Sequence, residues 1–362
     1  MLIKNIRVDL KNNSYPIILS DAYKDSLPFF KKHVPNRKIL VISDSNVAKL
    51  YLKTFEKFMK ENKFTLFSFV FSAGEKQKNL KTLEDIYAFA LSVGIDRQYT
   101  VVALGGGVVG DTAGFFAATY MRGLKLIQFP TTLLAMVDSS IGGKTGVNIK
   151  TGKNIVGAFY QPKFVFINTD FLKTLPASHI KNGMAEVIKY AISFDKNFFD
   201  YLLEIFNKGL LSNKDFSYII YKCCGYKATV VSKDEKERLG IRDFLNFGHT
   251  FAHALETVTK YKKYLHGEAV AMGMLFIAKL AVNINFITSK TEQKICEIIE
   301  AAGFYKPEFN FDVNVFLSLM KKDKKNVSKK IKFVLPKNIG TVVSRQEVDE
   351  KTVLKTLKEF FK

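Results

Sequence analysis

Residues 100–148 read TVVALGGGVVGDTAGFFAATYMRGLKLIQFPTTLLAMVDSSIGGKTGVN, and this stretch constrains the fold more than any other. An apolar run (100–104) opens onto three glycines, a helix-length amphipathic stretch follows, a second apolar run fills 125–129, and another glycine cluster closes the segment. The order predicts strand, phosphate-cradling turn, helix and strand. Gly105, Gly107 and Gly110 satisfy G-x-G-x-x-G directly after a predicted strand and at the start of a predicted helix. Glycines there let the backbone approach a pyrophosphate, and the helix N-terminus adds partial positive charge.

Two departures separate this segment from an ordinary dinucleotide-binding unit. The acidic residue expected about 20 positions further on to hold a ribose is missing, because residues 121–137 contain no Asp or Glu. Asp44, at the end of the earlier apolar run KILVISD, is the better ribose candidate. The second glycine cluster, DSSIGGKT, resembles a P-loop, but Asp138 stands where that motif needs glycine, which argues against nucleotide hydrolysis.

Around this centre the first half alternates strand and helix. A β-hairpin is expected from 2–8 and 15–19, strands at 38–43 and 65–71 flanking a helix at 46–62, a helix at 80–93, and a last strand at 164–168. From residue 169 onward the pattern changes to long helical segments: 185–194, 198–208, 216–231, 245–259, 268–287 and 291–302. A short strand pair (332–335, 340–344) and a terminal helix from 348 complete the chain. With 362 residues two domains are expected: an α/β Rossmann-like nucleotide-binding domain over 1–170 and a mainly α-helical metal- and substrate-binding domain over 171–362.

Cys223, Cys224 and Cys296 offer neither a disulfide framework nor zinc-finger spacing, which fits a reducing cytoplasm. The N-terminal residues carry charges every few positions and no signal-peptide core, and the longest uncharged stretches are too short to span a bilayer. A soluble cytoplasmic protein without a membrane partner is expected. The net charge of +21 invites a nucleic-acid reading, but the lysines are scattered and no run of five basic residues occurs. A lysine-rich surface that helps gather a small anionic substrate is the better account.

Three of the five histidines lie within 18 residues: His249, His253 and His266. His249 and His253 are four apart in a helical pattern, with Glu256 one turn further on that face, so spacing alone proposes these three as metal ligands and leaves His266 a fourth ligand or a bystander. Glu186 is a rival carboxylate, three residues before Lys189 in GMAEVIKYA, where a surface ion pair is the plain alternative. Position alone does not choose.

These residues sit in motifs that, in fixed order, resemble the 3-dehydroquinate synthase family: GEKQK (74–78), GGGVVGD (105–111), PTTLLAMVDSSIGGKTGVN (130–148), KNIVGAFYQP (153–162), FLKTLP (171–176), MAEVIKY (184–190), NFGHTFAHALE (246–256) and HGEAVAMGM (266–274). Glycerol dehydrogenase and iron-dependent alcohol dehydrogenases share the general fold but do not look like this around the lysines. The resemblance implies Zn or Co on Glu186, His249 and His266, with His253 an acid/base group facing substrate. For NAD it implies Asp44, Gly74, Glu75, Lys78, Gly106, Gly107, Val108, Val109, Gly110, Asp111, Thr131, Thr132, Asp138, Lys144, Lys153 and the segment Phe171, Leu172, Lys173, Thr174.

The implied substrate is 3-deoxy-D-arabino-heptulosonate 7-phosphate, held by Asp138, Lys144, Lys153, Asn154, Lys189, Lys227, Arg242, Asn246, His253 and Lys324, with Lys153, Asn154, Lys189 and Glu237 also counted as catalytic. Arg122 is implied at the neighbouring subunit's site, hence a homodimer. The implied reaction runs through transient oxidation by NAD, phosphate elimination, reduction, ring opening and intramolecular aldol closure. The stretch between Lys227 and Arg242 holds one residue more than the family's usual spacing, which leaves Glu235 as the alternative to Glu237, and Lys325 stands beside Lys324. A related sugar-phosphate cyclase, or an NAD- and metal-dependent polyol dehydrogenase, is the competing reading.

Overall fold

The computed structural model describes residues 4–209, 211–306, 311–322 and 330–362. It divides into two compact units, residues 1–176 with 216–236, and residues 177–215 with 237–362.

The first unit is built on a seven-stranded sheet. Its strands are β1 (Lys4–Val8), β2 (Tyr15–Ser20), β3 (Lys38–Asp44), β4 (Thr65–Phe71), β5 (Thr100–Gly105), β6 (Lys125–Pro130) and β9 (Phe164–Asn168), in the spatial order β1-β2-β9-β6-β5-β3-β4. Only β1 and β2 pair antiparallel. β5 and β9 are buried along their whole length, which is why they read as continuous Val, Ile, Leu and Phe runs rather than alternating ones. Strand order reverses between β3 and β5, where β4 lies to one side and β6 to the other. Ser43 and Leu104 are in register there, and the Ser43 hydroxyl donates to the Leu104 carbonyl at 2.8 Å. Ligands of open α/β sheets settle at the carboxyl ends of such a pair. Asp44 and Gly105 are those ends.

The expected helix after β5 is present as Gly107–Thr119. A hairpin that the sequence pattern did not reveal follows β6: β7 (Lys144–Ile149) pairs antiparallel with β8 (Gly152–Phe159). The expected helix at 216–231 lies within Asn213–Lys233, and its residues from 216 group with the first unit. Specific contacts hold it there: Ser232 accepts from the Asp9 backbone N–H at 2.8 Å, the Cys224 thiol donates to the Met136 carbonyl at 3.3 Å, and the Lys4 ammonium sits 4.7 Å from the Tyr221 ring centre.

The second unit is a helical assembly with one strand pair, β10 (Lys330–Asn338) and β11 (Thr341–Asp349). The helix His266–Asn283 is buried on nearly every side, as its almost uninterrupted Ala, Met, Leu and Phe content demands. It packs against the helices Ala177–Phe194, His249–Val258, Ser289–Ala301 and Glu350–Phe361. The single helix expected over 245–259 is instead a short turn, Ile241–Asn246, and a helix beginning at His249, because Gly248 adopts a left-handed conformation (φ 82°). Among the described residues no helix is long and apolar enough to cross a membrane.

The break at Gly248 lets two backbones touch. A Cβ added at Gly273 would lie 2.0 Å from the Gly248 carbonyl oxygen, a clash that only backbone movement relieves. Gly273→Ala is therefore expected to lower unfolding free energy by about 1 to 3 kcal/mol in urea titrations. Gly225→Ala, in a helix where an added Cβ meets nothing within 4 Å, should be neutral or stabilising.

Candidate active site

In the second unit three side chains converge from three helices. Glu186 projects from Ala177–Phe194, His249 opens its helix directly after the Gly248 break, and His266 is the first residue of His266–Asn283. One donor atom from each lies within 4.8 Å of the others. Both Nε2 atoms, of His249 and of His266, stand 3.6 Å from Glu186 Oε1. The opposite ring nitrogens are engaged: His249 Nδ1 lies 3.2 Å from the Phe247 carbonyl and His266 Nδ1 3.3 Å from Glu256 Oε1. Partners on Nδ1 aim Nε2 inward and raise its basicity, the usual support of a metal-ligating imidazole. Two imidazoles and a carboxylate with further positions open form a donor set suited to catalytic zinc.

Spacing alone proposed His249, His253 and Glu256, and the structure arranges them otherwise. The His253 ring packs edge-on to His249 with centres 5.6 Å apart, and Glu256, mostly buried, serves as the outer partner of His266. Asn182, one helical turn before Glu186, is a residue the sequence reading did not single out. Its Oδ1 accepts the Gly267 N–H at 2.6 Å, and a Cβ at Gly267 would strike the Asn182 carbonyl at 2.0 Å. That contact fixes the helix bearing Glu186 against the one bearing His266.

Charge is tightly balanced here. Lys189 pairs with Glu186 Oε2, and both side chains are 2% exposed, so this is no surface ion pair. Burial pushes the Glu186 carboxyl up, but Lys189 and the two histidines hold it well below the usual carboxylate range. Burial keeps His249 well below an ordinary histidine. Burial alone would lower His266 too, yet its hydrogen bonds to Glu186 and Glu256 raise it to about 10.

In the first unit the glycine turn leads into a helix capped by Gly106, which supplies no side-chain acceptor to the first amides. Gly110 has a packing reason beside its place in the motif, since a Cβ there would lie 2.9 Å from Gln128 Oε1. Asp44 Oδ1 accepts from the Asn46 and Val47 backbone amides at 2.9 and 3.1 Å, so the ribose candidate is held as a helix cap at the strand end. Lys78 is buried and donates to Asp111 and to Asn154 Oδ1, each at 2.5 Å. Burial raises the Asp111 carboxyl above the ordinary range against the pull of Lys78. Lys227, also buried, pairs with Asp138 Oδ1 at 2.7 Å. Glu75 lies 4.0 Å from the Lys153 ammonium. Thr131 is buried after β6, Val109 is fully buried, and Phe171 and Leu172 are buried ahead of the Lys173–Asp170 ion pair and the Thr174–Tyr51 contact.

The remaining nominated residues are placed as follows. Lys144 and Arg122 are exposed, and Arg122 is left-handed (φ 65°) in the turn before β6. Asn246 ends the turn that also carries buried Arg242. Glu235 accepts from Gln161 Nε2 at 3.3 Å within the first unit, whereas Glu237, in a left-handed conformation (φ 56°), begins the second unit's segment. Lys324 and its neighbour Lys325 lie outside the described residues. Among the described residues the buried basic side chains are Lys78, Lys189, Lys227 and Arg242, all four of which the sequence had nominated.

Residues 68–182 match the 3-dehydroquinate synthase N-terminal family and residues 183–326 the 3-dehydroquinate synthase C-terminal family. The chain is 53% identical over 358 residues to the 3-dehydroquinate synthase of Endomicrobium trichonymphae, covering 99% of both chains. Among solved structures it is similar to 2-deoxy-scyllo-inosose synthase complexed with carbaglucose-6-phosphate, NAD+ and Co2+ (TM-score 0.88, 24% identity, 98% of this chain and 99% of that one). It is also similar to 2-epi-5-epi-valiolone synthase from Streptomyces hygroscopicus subsp. jinggangensis with NAD+ and Zn2+ bound (TM-score 0.87, 24% identity, 97% and 98%). At that identity these two speak for the fold.

The outer shell gives a direct test of the histidine cluster. Glu256→Ala is expected to weaken Zn binding about 10- to 100-fold in competition with a chromophoric chelator, while His253→Ala keeps wild-type Zn affinity. Equal losses in the two variants would restore His253 as a ligand.

Proposed function

The chain belongs to the 3-dehydroquinate synthase family, and from that premise we propose that it converts 3-deoxy-D-arabino-heptulosonate 7-phosphate to 3-dehydroquinate and phosphate. The observation that carries this reading beyond a plain dehydrogenase is the presence of buried cations besides Lys189, which Glu186 already requires, because hydride transfer to a neutral polyol gives no reason to bury Lys227 and Arg242 as well. A phosphate and a carboxylate on one small ligand bring nearly three negative charges, and withdrawing them from water needs fixed cations and hydrogen bonds.

Bound NAD would take a hydride and return it within one turnover, while a Zn or Co ion on Glu186, His249 and His266 would polarise the oxygen of the carbon being oxidised. The chain's own residues do the rest. Asp44 and the turn Gly106 to Asp111 hold the dinucleotide, with Glu75, Lys78, Thr131, Thr132 and the segment Phe171 to Thr174 around it. Lys153, Lys227 and Arg242 bind the substrate anions, Asn154 and Asn246 orient its hydroxyls, and His253 with Glu237 moves protons at the ring. Support for His253 as a proton carrier is its partial exposure beside His249 without a place in the ligand set. Residues 1–170 are assigned chiefly to NAD and 171–362 chiefly to metal and substrate, with Lys153 and Asn154 serving the substrate from the first range, Phe171 to Thr174 serving NAD from the second, and Lys227 grouped with the first unit. A homodimer in which Arg122 serves the neighbouring subunit completes the proposal.

Purified protein with the heptulosonate phosphate, NAD and Zn should release phosphate without accumulating NADH, and chelation should abolish the release until Zn or Co is restored. Stoichiometric NADH with no phosphate would return the chain to the dehydrogenases. Arg242→Ala should cost about 2 to 5 kcal/mol in kcat/KM with NAD affinity unchanged. Lys189→Ala is a poorer probe, since it also strips Glu186 of its ion-pair partner.

A further inference from the structure

Three chain segments of the first unit meet at Asn148, and none of the roles assigned so far uses it. It lies at the end of β7, where the β7–β8 ladder slips between Val147 and Ile149, so its polar groups are released from regular pairing. Its backbone N–H donates to the Lys78 carbonyl at 2.8 Å, and it forms an isolated parallel bridge with Asn79. Its side-chain Oδ1 accepts the Asn154 backbone N–H at 2.9 Å, and its Nδ2 donates to Glu75 Oε1 at 2.8 Å. Lys78 in turn donates from Nζ to Asn154 Oδ1 at 2.5 Å.

Lys78, Asn154 and Asn148 thus form a closed ring of hydrogen bonds, with Glu75 hung from the free end of the same amide. The amide orientation is fixed by chemistry: an N–H can only donate to Oδ1, and an ionised carboxylate can only accept from Nδ2. Asn154 needs such a tie. It is held in a left-handed conformation (φ 55°), which is uncommon for a residue with a side chain. Without Asn148 Oδ1 its N–H loses the partner that keeps this part of β8 in that shape.

We propose that Asn148 is a positioning residue that locks the loop carrying Glu75 and Lys78 to the start of β8 carrying Asn154. This rests on the reading of Glu75 and Lys78 as cofactor contacts and of Asn154 as a substrate contact. Only an amide serves both arms: aspartate keeps the acceptor for Asn154 but faces Glu75 with a second carboxylate, and alanine removes both bonds.

The two substitutions therefore separate the arms. NAD dissociation constants are measured by calorimetry with NAD alone, and KM for the heptulosonate phosphate from phosphate release at saturating NAD. Asn148→Asp should raise the NAD dissociation constant about tenfold and leave KM within twofold, whereas Asn148→Ala should raise both about tenfold. A merely structural role would move both quantities together in both variants, or neither, and either pattern overturns the proposal. If Asn148→Ala fails to fold, the near-isosteric Asn148→Asp decides by its split between NAD affinity and KM. Wild-type protein that binds NAD but releases no phosphate would sink the proposed function alone. The ring would then stand or fall on whether Asn148→Asp weakens NAD.

Discussion

A carboxylate almost wholly withdrawn from water is the constraint on which the second unit depends. Glu186 cannot remain ionised at 2% side-chain exposure unless positive charge is held against it, and breaking such a buried pair costs about 3 to 5 kcal/mol. Lys189 supplies one partner from the next turn of the same helix, and the His266 ring, whose Nε2 faces Glu186 Oε1, supplies another from a different helix. That second partner arrives only because backbones approach closely at Gly267 against Asn182 and at Gly273 against Gly248. The glycines of HGEAVAMGM are thus part of the site's electrostatics. They set the distance at which imidazoles can serve Glu186.

The same reasoning explains why the histidine spacing misled. Residues four apart share a helical face, so His249, His253 and Glu256 do lie along one helix, but three ligands on successive turns are strung out along the axis. A compact donor set needs helices that cross. His249, at the extreme N-terminus of its helix, is the member of that row placed to meet a second helix, and His266 opens that second helix. No periodicity within a single segment reports a crossing. The motif order did, because it binds GMAEVIKYA, NFGHTFAHALE and HGEAVAMGM into one recurrent arrangement.

The fold was legible where side-chain burial leaves a periodic trace. Strands β3, β5, β6 and β9 run apolar because both their faces are covered, and the turn-rich gaps between them mark the crossovers. The β7–β8 hairpin escaped for the opposite reason. Gly146 and Gly157 oppose each other across the ladder, where a Cβ on either would strike the facing strand at 2.6 or 2.1 Å. Glycine carries no strand signal, so close backbone approach read as loop. The return of residues 216–236 to the first unit was equally silent, since it rests on single contacts such as Lys227 to Asp138 rather than on any change of composition.

Net charge and site charge are separate matters in this molecule. Of 55 Lys and Arg residues, the buried ones among the described residues are four, and three of these stand against carboxylates: Lys78 on Asp111, Lys189 on Glu186, Lys227 on Asp138. A buried cation so paired contributes little to the field far from the protein, so the +21 surplus is a property of the solvated surface, screened within about 10 Å at ordinary ionic strength. At the site the pairing has a different effect. A lysine fixed on a carboxylate keeps its charge and its direction in the absence of ligand, so it needs no reorganisation to meet an anion, and the cost of desolvating it is met in folding rather than in binding. On the proposed function, selectivity for an anionic sugar acid would rest on where Lys227 and Arg242 are fixed, and the count of surface lysines would bear only on how often the ligand arrives.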